Sequence, residues 1–557
     1  MTPDLEIIPL GGIGKFGMNC TALRYGNQMI LIDAGARFPG GSSGMDLGIN
    51  IVVPDISFLK ENKNQLKAIL LTHGHEDHAG GIPYIINEIP LPIYGTSLTL
   101  GLVSARLKEH GLYQTVTLNH IESHKSFRIG PFEIEPLHIT HSFPDALCFS
   151  ISTPVGRIIW TGDFKLDPKP IDNKLTDVQR LSDYGKKGVL ALFSDSTNSE
   201  VPGSAPSEST AYELLRILFR KAEKKIIISC FASSIHRIQI ILDLAQEFDR
   251  KVVALGRSMV SNIRIASQLK YLHFPDDVLL SKNQALKLPD HQLIVLASGS
   301  QGEPMAAMNR IAIGAMKNIT VQRGDTAIIS SRIIPGNEKA ISNMIDQFHC
   351  NDAFVFDSHH SSVHVSGHGL RDDLKKMVDL TKPKFFIPIH GQLRQLKTHA
   401  SLAYNQGIPL KQIHIIENGD VLKISQDSAQ VSEKTHTGER FIDDGILGEV
   451  HQTVLQDRLH LSRNGFLSVI LQIDMTNNKL TGTPKLISRG FISGDTSEKI
   501  LEIAQNEIVK LAQISVEKKH KNNDIIKEDI IKYLKSFIRK KTGKRPIIIP
   551  IIIEILP

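Results

Sequence analysis

Short apolar runs that end in a turn or a polar residue dominate the first part of the chain. Runs of this length with many branched side chains predict strands, whereas apolar residues three or four apart predict helices. Gly26-Asn27 separates two of the runs and predicts a hairpin. The predicted strands cover residues 5–10, 18–25, 28–32, 66–71, 91–94, 158–163 and 189–194, and the predicted helices cover residues 78–88 and 97–110.

The pattern changes near residue 206, where buried strands begin to alternate with helices. Ser207 and Glu208 predict a helix start, because serine caps helices and acidic residues favour the first turn. The alternation that follows predicts a parallel sheet with helices on both faces. Its predicted strands cover residues 225–230, 252–255, 293–297, 326–331 and 353–356.

These patterns predict three domains and a linker. A first α/β domain is expected in two segments, residues 1–205 and 360–425, with the parallel α/β domain inserted over residues 206–359. Residues 426–446 are polar and poor in pattern, and are expected to form a linker. The pattern of residues 447–557 predicts a small α+β domain.

Composition narrows the class of protein. The chain has 557 residues, of which 41% are hydrophobic and 22% charged, so it reads as a globular protein of several domains. Its net charge of +6 is compatible with a polyanionic substrate and equally with an ordinary solvated surface. Four scattered cysteines fit a reducing cytoplasm. No signal-like start and no apolar run of about 18 residues is evident, so no membrane span is expected, and residues 546–557 are expected to form a buried strand.

The highest concentration of potential metal ligands lies between a predicted strand and a predicted helix, in Thr72-His-Gly-His-Glu-Asp-His78. His73, His75, Asp77 and His78 can converge there on one point. Imidazole and carboxylate ligands together suit zinc or another first-row divalent metal. Chance histidine pairs are common among 23 histidines, but this spacing at a strand end is not, so the stretch predicts a metal site.

Other strand ends carry the same residue types. They supply Asp33, His141, Asp163, Asp195, His368 and His390. The α/β folds place their sites at such strand ends. The glycine motif of residues 12–17, followed by Asp33, imitates a dinucleotide site, but that site needs a helix after the glycines. Here a predicted hairpin follows, so the glycines are expected to form a tight β-turn.

The whole set of motifs resembles the metallo-β-lactamase superfamily, and the insert bordered by Asp195, His368 and His390 resembles its β-CASP branch. The Pro-Leu-Gly-Gly-Ile-Gly near the start, the trailing domain and the Arg-Pro-Ile-Ile-Ile-Pro near the end look most like the ribonuclease J family. The resemblance implies an α/β fold: an αββα sandwich, an inserted parallel α/β β-CASP domain and a small α+β C-terminal domain.

The resemblance also implies two Zn²⁺ ions per subunit, with Mn²⁺ or Mg²⁺ as alternatives for activity. His73, His75 and His141 would hold one ion, Asp77, His78 and His390 the other, and Asp163 both. Asp33 would support the ligand loop. Asp195 would play a similar orienting role, and His368 would contact the scissile phosphate and protonate the leaving oxygen.

The implied activity is metal-dependent cleavage of RNA through a metal-bridged hydroxide, by 5′-to-3′ exonuclease and endonuclease action, in rRNA maturation and mRNA decay. A single-stranded substrate with a 5′-monophosphate would be preferred. The residues expected to bind substrate phosphates are His364, Ser366, Gly367, His368, Ser331 and Arg332, with Gly256–Ser258 and Ser361-Ser362 as further candidates. Ordinary helix-capping roles explain these serines equally well.

A homodimer or homotetramer, and association with an RNA helicase or the ribosome, are further implications of the resemblance. Two alternatives stay open: a DNA-processing β-CASP nuclease, and a non-catalytic RNA-binding subunit of a degradation complex. DNA-directed relatives carry valine in place of the last histidine, so His390 favours RNA. A small-molecule hydrolase would lack the insert.

Overall fold

The chain folds into two units, one of residues 1–45 and 49–447 and the other of residues 46–48 and 448–557. The computed structural model describes residues 3–39, 47–358, 363–443, 450, 452–474, 477, 479–491, 495–517 and 523–555. Among these, no helix has the length and apolar character needed to cross a membrane.

Two sheets of mixed strand direction form the centre of the first unit. Across the eight-stranded sheet the order is Ala429–Lys434, Asp420–Ile424, Leu5–Gly11, Cys20–Tyr25, Gln28–Ile32, Leu66–Leu70, Ile93–Gly95 and Leu118–His120. Across the six-stranded sheet it is Pro383–Ile389, Val189–Asp195, Gly156–Trp160, Leu147–Thr153, Phe132–His138 and Phe127–Ile129. Cys20–Tyr25 and Gln28–Ile32 form the predicted hairpin.

The inner faces of these sheets share one core, in which Leu23 and Ile30 pack with Phe149, Ile158 and Phe193. Helices cover both outer faces, giving the predicted αββα sandwich. They are Ser57–Glu61, Ile82–Ile86 and Ser97–Glu109 on one side, and Val178–Lys187, Arg371–Thr381 and Leu393–Asn405 on the other. Because both faces are covered, the strands read as continuous apolar runs in the sequence.

The inserted sheet is entirely parallel, as predicted. Its strand order is Lys251–Leu255, Leu293–Ala297, Ile226–Ser229, Thr326–Ile329 and Phe354–Phe356. Both faces are buried against helices, with Ile228 on one side and Ile227 on the other. The helices of this part are Glu208–Lys221, Ile235–Glu247, Arg257–Gln268, Lys282–Ala285, Ala307–Ala312 and Glu338–Cys350.

Two stretches of the first unit differ from expectation. The helix expected over residues 78–88 is two short helices, Glu76–Ala79 and Ile82–Ile86, divided at a glycine pair. The expected linker is more ordered than its sequence indicates, since Ala429–Lys434 pairs with Asp420–Ile424 and Glu439–Ile442 pairs with Ile51–Pro54. Most side chains of Ala429–Lys434 are exposed, so this strand lacks the apolar alternation by which strands are recognised.

In its described residues, the second unit contains three helices and a small sheet. Its helices are Gln452–Asn464, Asp495–Glu517 and Asn523–Thr542, and its strands are Phe466–Asp474, Lys479–Leu480, Lys485–Arg489 and Ile547–Ile555. The last strand pairs in parallel with Phe466–Asp474. The expectation that this strand is buried is wrong: Ile548 is buried, but Ile549, Ile551 and Ile553 are more than 40% exposed. Within the part of the chain that the structure describes, the strand pairs along one edge, and the helix Asn523–Thr542 packs against one of its faces.

Candidate metal centre

The predicted ligands gather because several strands end at the same side of the sandwich. Gln28–Ile32 and Leu66–Leu70 run in parallel, and their ends lead to Asp33 and to the turn that begins at Thr72. In the other sheet, Gly156–Trp160, Val189–Asp195 and Pro383–Ile389 also run in parallel. Their ends deliver Asp163, Asp195 and His390. Carboxyl ends of parallel strands meet at one edge of a sheet, which is where α/β proteins build sites.

Three overlapping groups of side chains present ligand atoms within 4.8 Å of one another. All three groups contain Asp163. The groups are His73, His75, His141 and Asp163; Asp77, His78, Asp163 and His390; and Asp163, Asp195, His368 and His390. Asp77 and His390 come within 3.3 Å although they are 313 residues apart in the chain. The fold thus brings together every residue that the sequence nominated as a metal ligand.

The cluster fits divalent cations. The Oδ1 atom of Asp163 is buried without a hydrogen-bond partner among the described residues, and a buried oxygen that accepts no hydrogen bond is costly. In the first group, His75 Nδ1 lies 3.0 Å from His73 Nε2 and 3.2 Å from His141 Nε2. Ring nitrogens and carboxylate oxygens in convergence are the donor set that zinc prefers. A shared cation would satisfy both the nitrogens and the orphaned carboxylate oxygen.

Asp33 supports the ligand turn from beneath. Its carboxylate accepts hydrogen bonds from the Thr72 backbone N–H at 2.8 Å and from the Thr72 hydroxyl. It also lies 2.8 Å from His78 Nδ1, which leaves His78 Nε2 facing Asp163 at 3.2 Å. Fixing one ring nitrogen in this way sets the tautomer and orientation of a ligand histidine.

Asp195 and Thr197 hold the two histidines that come from later in the chain. One Asp195 oxygen lies 2.7 Å from His368 Nδ1, and the other accepts hydrogen bonds from the backbone N–H and the hydroxyl of Thr197. The Thr197 hydroxyl also lies 2.8 Å from His390 Nδ1. Two imidazoles are therefore oriented through their Nδ1 atoms, with both Nε2 atoms turned to Asp163.

Three supporting groups were not found from the sequence: Thr72, Thr197 and the carbonyl of Gly367. His141 Nδ1 donates to that carbonyl at 2.7 Å, so the backbone of Gly367 orients a candidate ligand histidine. Thr72 directly precedes His73, and Thr197 follows Asp195 by two residues. This closeness to motif residues was the sequence signal that could have identified them.

The pKa values of the candidate ligand histidines fall into two classes. Burial lowers the pKa of His73, His75 and His141, that of His75 to about 4. Burial also acts to lower the pKa of His78 and His390, but carboxylates outweigh it. Asp163 and its neighbours raise the pKa of His78 well above its ordinary value and that of His390 to about 10. Without bound cations, the first class is neutral at pH 7 and the second is charged.

The residues nominated for phosphate binding are only partly brought together. Arg332 donates to the side-chain oxygen of Asn198 at 2.5 Å, and Asn198 donates to the Ser366 hydroxyl at 3.0 Å. Asn198 also donates to the carbonyl of His368, so it links Arg332 and Ser366 to the loop that carries His368. Ser331 is instead buried, within 3.4 Å of Gln301. Gly256 to Ser258 lie at a helix start, and Ser361-Ser362 fall outside the described residues.

A buried ion network lies beside the same loop. Glu208 is 2.9 Å from Arg237 Nη2 and 3.4 Å from Lys165 Nζ, and all three side chains are almost fully buried. Arg237 Nη1 donates to the carbonyl of Val363 at 2.8 Å. Burial, together with the nearby charge of Arg237, lowers the pKa of His364 to about 3.

Comparisons with known proteins extend these observations. Residues 13–224 match the metallo-beta-lactamase superfamily, residues 223–348 the ribonuclease J beta-CASP domain, residues 359–415 the Zn-dependent metallo-hydrolase RNA specificity domain, and residues 453–555 the ribonuclease J C-terminal domain.

Similar chains carry the same family name. The chain is 40% identical to ribonuclease J of Synechocystis over 88% of its own length and 76% of that protein. It is 35% identical to ribonuclease J 1 of Streptococcus pyogenes and to ribonuclease J2 of Bacillus subtilis, over at least 98% of each chain. A crystal structure of a protein of unknown function from Enterococcus faecalis shares the fold, with a TM-score of 0.54 and 15% identity over 76% of this chain and 100% of that one.

Proposed function

Because this chain belongs to the ribonuclease J family and is a metal-dependent ribonuclease, we propose that it hydrolyses RNA at the cluster around Asp163. Its fold is a metallo-β-lactamase domain with a β-CASP insertion and a C-terminal domain. The observation that carries the proposal is the convergence of three ligand groups on one buried carboxylate. We propose the domain boundaries predicted above, with residues 429–442 added to the first domain because their two strands pair with strands of that domain.

We assign His73, His75 and His141 to one cation, Asp77, His78 and His390 to a second, and Asp163 to both. Two Zn²⁺ ions match these nitrogen and oxygen donors, and Mn²⁺ or Mg²⁺ would serve as alternatives. Such ions supply Lewis acidity, which lowers the pKa of water and offsets charge on a phosphate.

His368 is the residue we assign to proton transfer. Asp195 holds its Nδ1, so its Nε2 points into the cluster, 3.8 Å from Asp163 Oδ2. A proton on Nε2 can pass from there to the leaving oxygen of the phosphodiester, which is a poor leaving group unless protonated. Burial opposes the ionised form of Asp195, but the charge of His368 and hydrogen bonds from His368 and His390 keep the pKa of Asp195 below its ordinary value. Asp195 therefore stays ionised and accepts a hydrogen bond from His368 Nδ1.

We propose 5′-to-3′ exonuclease and endonuclease modes in rRNA maturation and mRNA decay, with single-stranded RNA bearing a 5′-monophosphate as the preferred substrate. Arg332 and Ser366 support a terminal-phosphate pocket, because Asn198 ties both to the loop of His368. Arg332→Ala should remove the preference for 5′-monophosphate over 5′-hydroxyl RNA. If the variant retains the parent's preference, Arg332 is not part of that pocket.

The oligomeric state, the partners and the cellular location of the protein are also inferred from the family. We propose a homodimer or homotetramer that associates with an RNA helicase or the ribosome in the cytoplasm. All four cysteines are free, as expected in a reducing compartment. Light scattering on the purified chain would give its mass, and a monomer at micromolar concentration would overturn the assembly.

Digestion of uniformly labelled RNA with defined 5′ ends tests the activity. We expect mononucleotides from exonuclease action and discrete fragments from internal cutting. His75→Ala should abolish both products, because it removes a ligand from the first group. RNA decay by His75→Ala at the parent's rate would show that the cluster is not where hydrolysis occurs.

A further inference from the structure

The glycine-rich loop of residues 12–17 has no part in the function described so far. No helix follows it; Cys20–Tyr25 is a strand, so a dinucleotide-binding turn is excluded. The loop begins beside a proposed ligand, because Ile13–Gly14 pairs in parallel with Gly391–Gln392, directly after His390. Asn418 fixes this end by hydrogen bonds to both the N–H and the carbonyl of Ile13, at 3.1 and 3.0 Å.

The other end of the loop is fixed to two more proposed ligands. The backbone N–H and the side-chain amide of Asn19 both donate to the carbonyl of Asp77, at 2.9 and 3.0 Å. The same amide nitrogen lies 3.2 Å from His78 Nε2. The loop therefore spans the second ligand group, held at one end beside His390 and at the other by Asp77 and His78.

The shape of the loop depends on glycine. Gly12 and Gly17 have φ values of 88° and 85°, which other residues rarely adopt. A Cβ at Gly12 would stand 2.3 Å from Asn19 Oδ1, and one at Gly17 would stand 2.9 Å from Arg37 Cβ. The turn is therefore held in one conformation, and the side chains at its tip have a fixed position relative to the metal cluster.

The tip presents Lys15 and Phe16. Phe16 is only partly buried, and its ring lies edge to face with that of His390, with 6.0 Å between the ring centroids. Lys15 is exposed but paired with Glu439 at 3.1 Å, so the tip offers little free positive charge for a phosphate. An accessible aromatic ring beside a nuclease centre suits a nucleobase instead, because every base has a face that can stack.

We propose that Phe16 is a stacking platform for one RNA base next to the scissile phosphate, and that the loop of residues 12–17 serves to hold it there. The inference rests on the proposed function, since it places the substrate at the Asp163 cluster. Stacking of this kind tolerates all four bases, so the platform would secure the strand without selecting sequence.

Abasic RNA tests the platform directly. A set of 5′-phosphorylated oligonucleotides is made, each with one base removed at a successive position, and kcat/KM is measured for the parent, Phe16→Leu and Phe16→Tyr. Leucine keeps apolar bulk but cannot stack as a ring does. Tyr404→Leu, at an exposed aromatic on the helix Leu393–Asn405, is the matched control. Bound zinc is measured for every variant.

On intact RNA, Phe16→Leu should lower kcat/KM about 5- to 140-fold, the range expected for one stacked base. Phe16→Tyr and Tyr404→Leu should retain the parent's value. At one position the abasic RNA should slow the parent by the same factor and slow Phe16→Leu no further. An unchanged Phe16→Leu, or an equal loss on every abasic RNA, would overturn the platform. The platform would also be overturned if Phe16→Leu and Phe16→Tyr both lost bound zinc, because Phe16 would then have a structural role. An inactive parent would instead refute the proposed function.

Discussion

Zinc binding to the metal-free protein should release protons from only one of the two ligand groups. The pKa of His73, His75 and His141 is lowered by burial, so these residues are already neutral at pH 7. His78 and His390 have raised pKa values and carry protons there. An imidazolium cannot bind a metal, so both protons must leave before the second group is filled.

The size of the effect follows from the number of protons displaced. Because protons compete with the metal, affinity falls as pH falls. Filling the second group displaces two protons, one from His78 and one from His390. At pH values below both of their raised pKa values, the metal affinity of that group should therefore fall about 100-fold for each pH unit. The first group should keep a constant affinity down to the pKa of His75, which is about 4.

Titration calorimetry in two buffers of different ionisation enthalpy counts the protons. At pH 7 the second binding step should release at least two protons more than the first, one from each histidine. His390→Gln should reduce the second count by one and leave the first step unchanged. Equal proton release in the two steps, or none in the second, would refute the assignment of charge to His78 and His390.

Three substitutions probe groups that support the cluster. Thr197→Val removes the hydroxyl that lies 2.8 Å from His390 Nδ1 and should lower metal affinity or RNA cleavage about 10- to 100-fold, as measured by zinc titration and RNA decay. Gly367→Ala would place a Cβ 2.7 Å from His141 Cε1, so it should displace that ligand and lower the zinc content of the purified protein. Glu208→Gln should lower the free energy of unfolding in urea by about 3–5 kcal/mol, because the buried Arg237 loses its carboxylate partner, whereas Lys165 keeps Asp167 at 3.2 Å.

Each substitution has a matched control. Thr197→Ser keeps the hydroxyl and should restore most of the affinity. Gly438→Ala adds a methyl group no closer than 3.7 Å to a neighbour and should leave zinc content unchanged. Glu213→Gln alters an exposed acid on the same helix as Glu208 and should leave stability unchanged. If test and control behave alike in any pair, the supporting contact has been misassigned.

The fold was predictable where burial leaves a pattern in the sequence. The parallel insert and the sandwich strands read as apolar runs because both of their faces are covered. Ala429–Lys434 gave no such signal, since it is held by backbone pairing with its side chains in solvent. The apolar run near residue 550 gave a wrong prediction for the opposite reason: apart from Glu554, Ile547–Ile555 is apolar, yet one of its faces is exposed.

The candidate site was predictable to the level of its motif residues and no further. Asp163 and His390 stand at strand ends, so their spacing and type could be read directly from the sequence. The contacts of Thr197 with His390 and of Gly367 with His141 join residues that are 193 and 226 positions apart. No local pattern encodes such pairs, because they arise only when the sheet edge assembles. The same holds for the loop that carries Phe16.

Asp163→Asn gives the most direct test of a shared two-metal centre that cleaves RNA, because Asp163 belongs to all three ligand groups. Zinc content and the rate of RNA cleavage are measured on the same purified sample, beside the parent and His75→Ala. We expect two zinc ions per chain and active cleavage in the parent. Asp163→Asn should weaken binding of both ions and abolish cleavage, whereas His75→Ala should weaken binding of one. If Asp163→Asn binds both ions and cleaves RNA at the parent's rate, the centre is not built on Asp163.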